Sequence, residues 1–349
     1  MKKMLTERQN LILSLIIQHF TTNGQPVGSK KLMEEGVNAS SATIRNDMKA
    51  LEEYGLLEKT HSSSGRIPSM KGYRYYVDYL LTPAKVTKQE VDQIRASLKK
   101  DIYEIDDIIQ QSADILSQVT SYTAFSLGPE MKDRKLTGFR IVPLNDKQIL
   151  AIIVTDRGNV ESQVFRIPDN VASSDLEKMV AIINDRLVGE PLLTVYQKLR
   201  TEIPMILHRY FQTTDGISHL FDVILNEAFE EKVFVSGGMN ILNYNHNPDV
   251  HQFKMMYSFM QDPSELTQLL LPFTSPIHIQ IGSELGNELF ENMSLIQASY
   301  EIEGHGKGII GLLGPASMPY SRMFSLIDVF RRELGDKLAD YYRSLDLDQ

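Results

Sequence analysis

SSATIRNDMKALEEY, residues 40–54, decides the fold. Ser40 is placed to cap a helix that begins at Ser41, because its hydroxyl accepts from a backbone N–H left unpaired in the first turn. Ile44, Met48 and Leu51 recur at spacings of four and three, so they form one apolar stripe facing a core. The opposite face carries Thr43, Arg45, Asn46 and Lys49, whose hydroxyl, guanidinium, amide and ammonium groups suit phosphates and major-groove base edges. Just upstream, SKKLMEEGVNA (29–39) reads as a short helix capped by Ser29 and stopped at Gly36, followed by a tight turn. Two short helices joined this way, the second polar-faced and basic near its start, describe a helix-turn-helix.

The flanks extend the motif. Thr6 with Gln9 forms a capping box, and Leu11, Ile12, Leu15, Ile16 and Phe20 predict a helix ending near Asn23-Gly24. Gly55 closes the third helix as a C-cap. Leu56 to Thr60, a polar turn at His61 to Gly65, then Arg66-Ile67-Pro68 read as strand, turn, strand. Alone that is a solvated hairpin; appended to three helices it is a wing, with Lys59, His61 and Arg66 at or near its tip. In Lys71 to Leu80, the tyrosines Tyr75, Tyr76 and Tyr79 are expected to pack beneath the wing, since a duplex hides its base faces. Lys71 and Arg74 are expected at phosphates.

Charge distribution supports this reading. The chain of 349 residues carries a net −9, yet residues 1–80 hold 11 Lys and Arg against 8 Asp and Glu. The remainder holds 25 against 37, so a basic module sits on an acidic body. No cysteine is present, which excludes disulfides and thiolate metal sites. No run of about 18 apolar residues occurs and the start soon turns polar, which predicts a cytoplasmic chain without a signal peptide.

LTERQ (5–9), PVGSKKL (26–32), SSATIRNDMKALEEYGLL (40–57), SSGRIP (63–68) and KGYRYYVDYLL (71–81) together resemble the heat-inducible transcription repressor HrcA family of bacteria. VSGGMNIL (235–242), IQIGSE (279–284), SLIQASYE (294–301) and GIIGLLGPASMPYSRM (308–323) extend that resemblance through the body. Ser41 departs from a proline usual in the family, a nearly neutral exchange at the first helical position. Ala316-Ser317 stands where a Thr-Arg-type pair is frequent, which removes a basic residue there.

Beyond the wing, Pro83 marks a linker, and Thr87 with Glu90 caps a helix running to about Val119. Its seven-residue repeat, Val91, Leu98, Ile105 and Val119, leaves open a coiled-coil dimer seam, but an amphipathic helix packed on its own body is favoured. Strands are expected over Phe139 to Pro143, Ile149 to Val154 and Val160 to Ile167, around turns at Asn145-Asp146 and Asp156 to Asn159. A mainly helical stretch over 171–231 follows, opened by Ser174 and Glu177 with Leu176, Met179, Val180 and Ile183 on one face. Strands return at Val233 to Val235, Ile277 to Ile281 and Ser294 to Glu301, and a helix over roughly 320–345 ends the chain. This is a multidomain α+β chain.

The resemblance implies the finer division. Residues 1–81 form a winged helix-turn-helix, 82–120 a linker and long connecting helix, 121–160 with 232–349 a GAF-like α+β domain, and 161–231 a mainly helical inserted dimerisation domain. Gly306-Lys307-Gly308-Ile309-Ile310-Gly311 matches a dinucleotide fingerprint, but its glycines lie between two apolar runs that read as a hairpin, not before a helix. The scattered histidines and the lack of a nucleophile elbow predict no enzyme, cofactor or metal.

The expected function is repression of heat-shock chaperone operons of the groESL and dnaK type. The resemblance implies a homodimer on an inverted-repeat operator, the CIRCE element, with the chaperonin GroEL keeping it competent and heat stress relieving it. Thr43, Arg45 and Asn46 are expected at base edges. Ser40, Ser41, Lys49, His61, Arg66, Lys71 and Arg74 are expected at phosphates or in positioning roles. The rival expectation is a regulator sensing a small molecule in the GAF-like domain, separable by a ligand-induced shift in melting temperature.

Overall fold

The computed structural model describes residues 5–60, 65–98, 105–129, 135–156, 160–166, 173–191, 194–195, 198–199, 201–203, 205–206, 233–243, 250–270, 273–303 and 305–347. His61 therefore lies outside the described residues, as do residues 207–232. The chain divides into two compact units: Met1–Leu127, Val233–Tyr300 and Gly308–Leu338 form the first, and Gly128–Lys232, Glu301–Lys307 and Ala339–Gln349 the second.

Three helices open the first unit: α1 (Glu7–Asn23), α2 (Ser29–Glu34) and α3 (Ser41–Glu53). Thr6 and Gln9 make the reciprocal capping box at α1, and Gly24 closes it at φ 66°. The buried face of α1 is Ile12, Leu13, Ile16 and Ile17; Leu11, expected inside, is 45% exposed. These side chains meet Leu32 of α2 and the predicted stripe of α3, whose Ile44, Met48 and Leu51 are all buried. The wing follows as β1 (Leu57–Lys59) and β2 (Arg66–Pro68), antiparallel, with Lys59 opposite Arg66. Val27 bridges Arg66 on the other side, tying the wing to the segment before α2.

Next comes α4 (Met70–Tyr75), continued by a π-helical turn over Tyr76–Leu80. Tyr73 and Tyr76 are buried here, whereas Tyr79, expected to pack inside, is 60% exposed. Its ring makes a tilted contact with that of Tyr75, at 4.9 Å between centroids. The expected long helix appears as α5 (Lys88–Leu98) and α6 (Ile105–Thr120). It packs on the chain's own body: Ile94, Leu98, Ile105, Ile108 and Ile115 are buried, and α6 lies against β3 (Thr123–Leu127) and β7 (Val233–Ser236). Ser112, which interrupts the repeat, is fully buried and bonds the Ser126 hydroxyl at 2.8 Å and the Ile109 carbonyl at 2.7 Å.

The sheet of this unit has the order β7-β3-β10-β9-β8, where β8 is Ile277–Ile281, β9 Met293–Ile302 and β10 Gly306–Pro315. The GxGxxG stretch is part of β10, a strand where a phosphate cradle needs a helix N-terminus. Gly308 serves packing instead: a Cβ there would fall 2.2 Å from the Tyr300 ring and 2.7 Å from the Leu127 carbonyl oxygen. Two helices, α8 (Val250–Phe259) and α9 (Pro263–Leu269), place Met256, Met260, Leu266 and Leu269 beside Phe125, Phe290 and Leu295. The terminal helix, α10, spans Tyr320–Leu347.

Ion pairs join α10 to α5. Arg95 bonds Glu333 through two nitrogens, at 2.7 and 2.8 Å, and Arg322 bonds Glu90 at 2.6 Å. Glu90 also accepts from the Thr87 backbone N–H and hydroxyl, the predicted capping box. The Thr87 backbone bond first, and Arg322 after it, hold this carboxyl down at about 2. A carboxylate favoured in the folded state stabilises above its ordinary pKa of 4.5 and loses that contribution as pH falls to about 2. Glu90→Gln is accordingly expected to lower the melting temperature at neutral pH, with the difference from the parent shrinking across that acid window. A difference constant from pH 7 to 2 would contradict the assignment.

The second unit contains a three-stranded antiparallel sheet, β4 (Leu136–Asn145), β5 (Gln148–Thr155) and β6 (Val160–Arg166), and helix α7 (Ser173–Leu187). Phe139, Ile149, Ala151 and Ile153 pack on Leu176, Met179, Ile183 and Leu187. Asn184 ties helix to strand, donating to the Phe139 carbonyl and accepting from its N–H, both at 2.8 Å. This unit includes the stretch expected as an insert from 161. Strands β4 and β5 pair with β6 and not with β3, so the second unit begins at Gly128. Within the expected insert, 161–231, the described residues run from β6 into helix α7 and further helical residues up to 206. No helix among the described residues is long and apolar enough to cross a membrane.

Candidate nucleic-acid interface

Helix α3 carries the polar face that the sequence predicts. Ser40 caps it, accepting from the Thr43 N–H at 3.2 Å, while its hydroxyl also meets the Thr43 hydroxyl at 2.9 Å. This leaves the start of α3 with unpaired N–H groups and a positive dipole end, the arrangement that receives a phosphate. Arg45, Asn46 and Lys49 are exposed, and Ser41 and Thr43 are half-buried. Asp47, on the inner edge of the helix, is 8% exposed and takes the Arg8 guanidinium at 2.6 Å. That pairing offsets the charge of Asp47 and fastens α3 to α1.

Ser29 does something the sequence reading missed. It was expected to cap α2, but Gly28 holds the cap position and Ser29 is the first helical residue. Its buried hydroxyl bonds Ser41 Oγ at 2.9 Å and accepts from Arg45 Nε at 3.3 Å. The contact orients Arg45 by its Nε and leaves the two terminal nitrogens of the fork for an outside acceptor. Only the spacing Ser29…Ser41…Arg45 across the turn could have hinted at this, and nothing in the local pattern singles it out.

The remaining residues differ among themselves. Lys49 pairs loosely with Glu53 at 3.7 Å, an exposed i,i+4 contact that costs little to break. Lys71 is exposed and donates to the Tyr54 carbonyl at 2.7 Å, which steadies the end of α3. Arg66 opens β2 opposite Lys59, at the end of the wing ladder, and holds Glu52 of α3 at 2.8 Å with a side chain only 15% exposed. The expected phosphate role of Arg74 does not fit its geometry. Its guanidinium is turned to the body, donating to the Ile279 carbonyl at 2.8 Å and Glu284 at 2.9 Å, and pairing with Asp78 at 3.0 Å. A cation satisfied by two carboxylates has little left to offer a duplex.

Among the described residues no group of three His, Asp or Glu is arranged to hold a metal ion. Comparison with known proteins agrees with the architecture. Residues 106–324 match the family model described as HrcA protein C terminal domain, and residues 1–65 match the LexA DNA binding domain. A heat-inducible transcription repressor HrcA of Enterococcus faecalis is 67% identical over 345 residues, 98% of this chain and 99% of that one. Its counterpart in Tetragenococcus halophilus is 65% identical over 343 residues, with the same coverage. A crystal structure described as that of a hypothetical protein aligns over 97% of this chain and 100% of its own at a TM-score of 0.60. At 20% identity it shows a shared fold and no more. With a family model over more than half its length and full-length relatives at this identity, the chain belongs to the HrcA family of heat-inducible transcription repressors.

Proposed function

We propose that this chain represses heat-shock chaperone operons by binding, as a homodimer, an inverted-repeat operator of the CIRCE type. The exposed face of α3, with Arg45 held by Ser29 and pointed outward, is the observation that carries the reading. Arg45, Asn46 and Thr43 read base edges, since Arg matches guanine and Asn matches adenine. Ser40, Ser41 and Lys49 contact or position the phosphates flanking α3, with Lys71, Arg66 and His61 in supporting phosphate or positioning roles. Two-fold symmetry makes an inverted repeat the natural target of a dimer. The five-stranded antiparallel sheet with α6 on it supports a GAF-like body, and the separate second unit supplies the candidate dimerisation domain.

Relief on heat stress follows from mass action. A repressor whose active fraction depends on GroEL loses it when misfolded protein occupies the chaperonin. The test is binding to an inverted repeat, to the same half-sites as a direct repeat, and to one half-site, each with and without GroEL. Two chains per inverted repeat, weaker binding to the other duplexes and a larger active fraction with GroEL are expected. One chain per duplex, indifferent to half-site orientation, would overturn the reading.

Ser29→Ala checks the orientation of Arg45. Removing one buried hydroxyl that serves two partners is expected to cost about 1 kcal/mol of stability. Operator affinity should fall severalfold while affinity for random duplex holds. Equal losses on both duplexes would mean that Ser29 only stabilises the fold.

A further inference from the structure

We propose that Arg74, Asp78 and Glu284 form a clamp that sets the angle of the winged helix on the body, making Arg74 a positioning residue for operator spacing. Arg74 lies on α4, six residues before the end of the π-helical turn that leads out of the winged helix. Across the seam its guanidinium reaches the Ile279 carbonyl at 2.8 Å and the Glu284 carboxylate at 2.9 Å, residues more than 200 positions away. Asp78, one helical turn on, takes the other terminal nitrogen at 3.0 Å. The rest of the seam bonds through neutral groups: Tyr76 with the Ser321 hydroxyl at 2.8 Å, and the Ala84 N–H with the Ser321 carbonyl at 3.1 Å. The Tyr73 and Tyr320 rings add a tilted contact at 5.9 Å.

A planar guanidinium bonded at both ends fixes direction as well as distance, which neutral contacts and ring packing do less well. The Glu284 carboxylate is itself fixed, because it accepts from the Ile281 N–H at 2.9 Å. Arg74 Nε is buried and has no hydrogen-bond partner among the described residues. An open cavity of about 610 Å³ runs beside Arg74, Asp78 and Glu284, so the clamp is reachable from solvent. In a dimer on two half-sites, the head angle on each body decides which half-site spacing both recognition helices can span. That consequence rests on the dimer reading above; the clamp does not.

The chain lacks cysteine, so spin labels at Glu34→Cys on the head and Glu288→Cys on the body report one intrachain distance when diluted with unlabelled protein. A single narrow distance is expected for the parent and a broad distribution for Arg74→Gln and for Glu284→Gln, which keeps an acceptor for the Ile281 N–H. An unchanged distribution in both variants would overturn the clamp. The second arm titrates the unlabelled variants against inverted repeats of native and altered spacing. Loss of about tenfold in spacing discrimination, a usual size for coupling between sites, is expected with affinity for one half-site unchanged. A lower melting temperature with spacing discrimination intact would overturn the positioning role and leave Arg74 a merely structural residue. A parent protein indifferent to spacing would refute the dimer reading, while the label distances still decide the clamp.

Discussion

Gly72→Ala should unfold the winged helix from the inside. Gly72 is buried in α4, and a Cβ there would fall 2.1 Å from the Leu56 carbonyl oxygen, a backbone atom that cannot rotate away. The same stretch is pinned from three directions. The Ser69 N–H donates to the Leu56 carbonyl at 3.2 Å, the Ser69 hydroxyl to the Gly55 carbonyl at 2.6 Å, and the Gly72 N–H to the Ser69 hydroxyl at 3.0 Å. Room for one methyl group therefore means pulling α4 off the start of the wing and breaking the cap that holds it. Overpacking with loss of a cap places the cost at about 4–5 kcal/mol, most of the stability of a small domain. Circular dichroism melting should show an early transition, and operator binding should fall with the folded fraction. Gly28→Ala is the control, since its added Cβ meets nothing within 4 Å and its φ of −100° suits any residue. That variant should stay within about 1 kcal/mol of the parent. Similar melting curves for both variants would show that α4 does not press on the wing as described.

Arg45→Ala carries the second large effect, on recognition and not on folding. The side chain is exposed and its bond to Ser29 is long at 3.3 Å, so its removal leaves the core intact. A bidentate contact to one guanine is worth about 1–3 kcal/mol, or roughly 5- to 150-fold in affinity. Operator binding should weaken by that factor, with preference relaxed at one base pair in each half-site. Equal weakening on operator and random duplex would make Arg45 a phosphate contact and remove its reading role.

What could be read ahead of the structure was what neighbouring residues decide among themselves. The caps at Thr6, Ser40 and Thr87 depend on partners three positions away, and each forms as expected. The stripe of α3 and the strands of both sheets other than β3 follow from periods of 3.6 and 2. Contacts across long stretches were not legible. Arg74 looked like one more basic residue beside the wing, because Glu284 lies 210 positions on. Ser29 looked like a cap, because serine before a helix usually is one and only the fold brings Arg45 to it. Which sheet each strand joins was hidden for a related reason: β3 and β4 have similar apolar content, and pairing partners, not composition, decide it. Tyr79 was misplaced because a π-helical turn shifts the register by which a regular helix would have buried it.

Repression by the exposed face of α3 is tested most directly by fluorescence-anisotropy titration of the purified chain. The duplexes are a CIRCE-type inverted repeat and a scrambled sequence, each across a series of salt concentrations. A positioned basic face predicts tight operator binding that falls steeply with salt and keeps a preference of roughly 10³ or more over the scrambled duplex. Equal and weak binding to both duplexes at every salt concentration would contradict it.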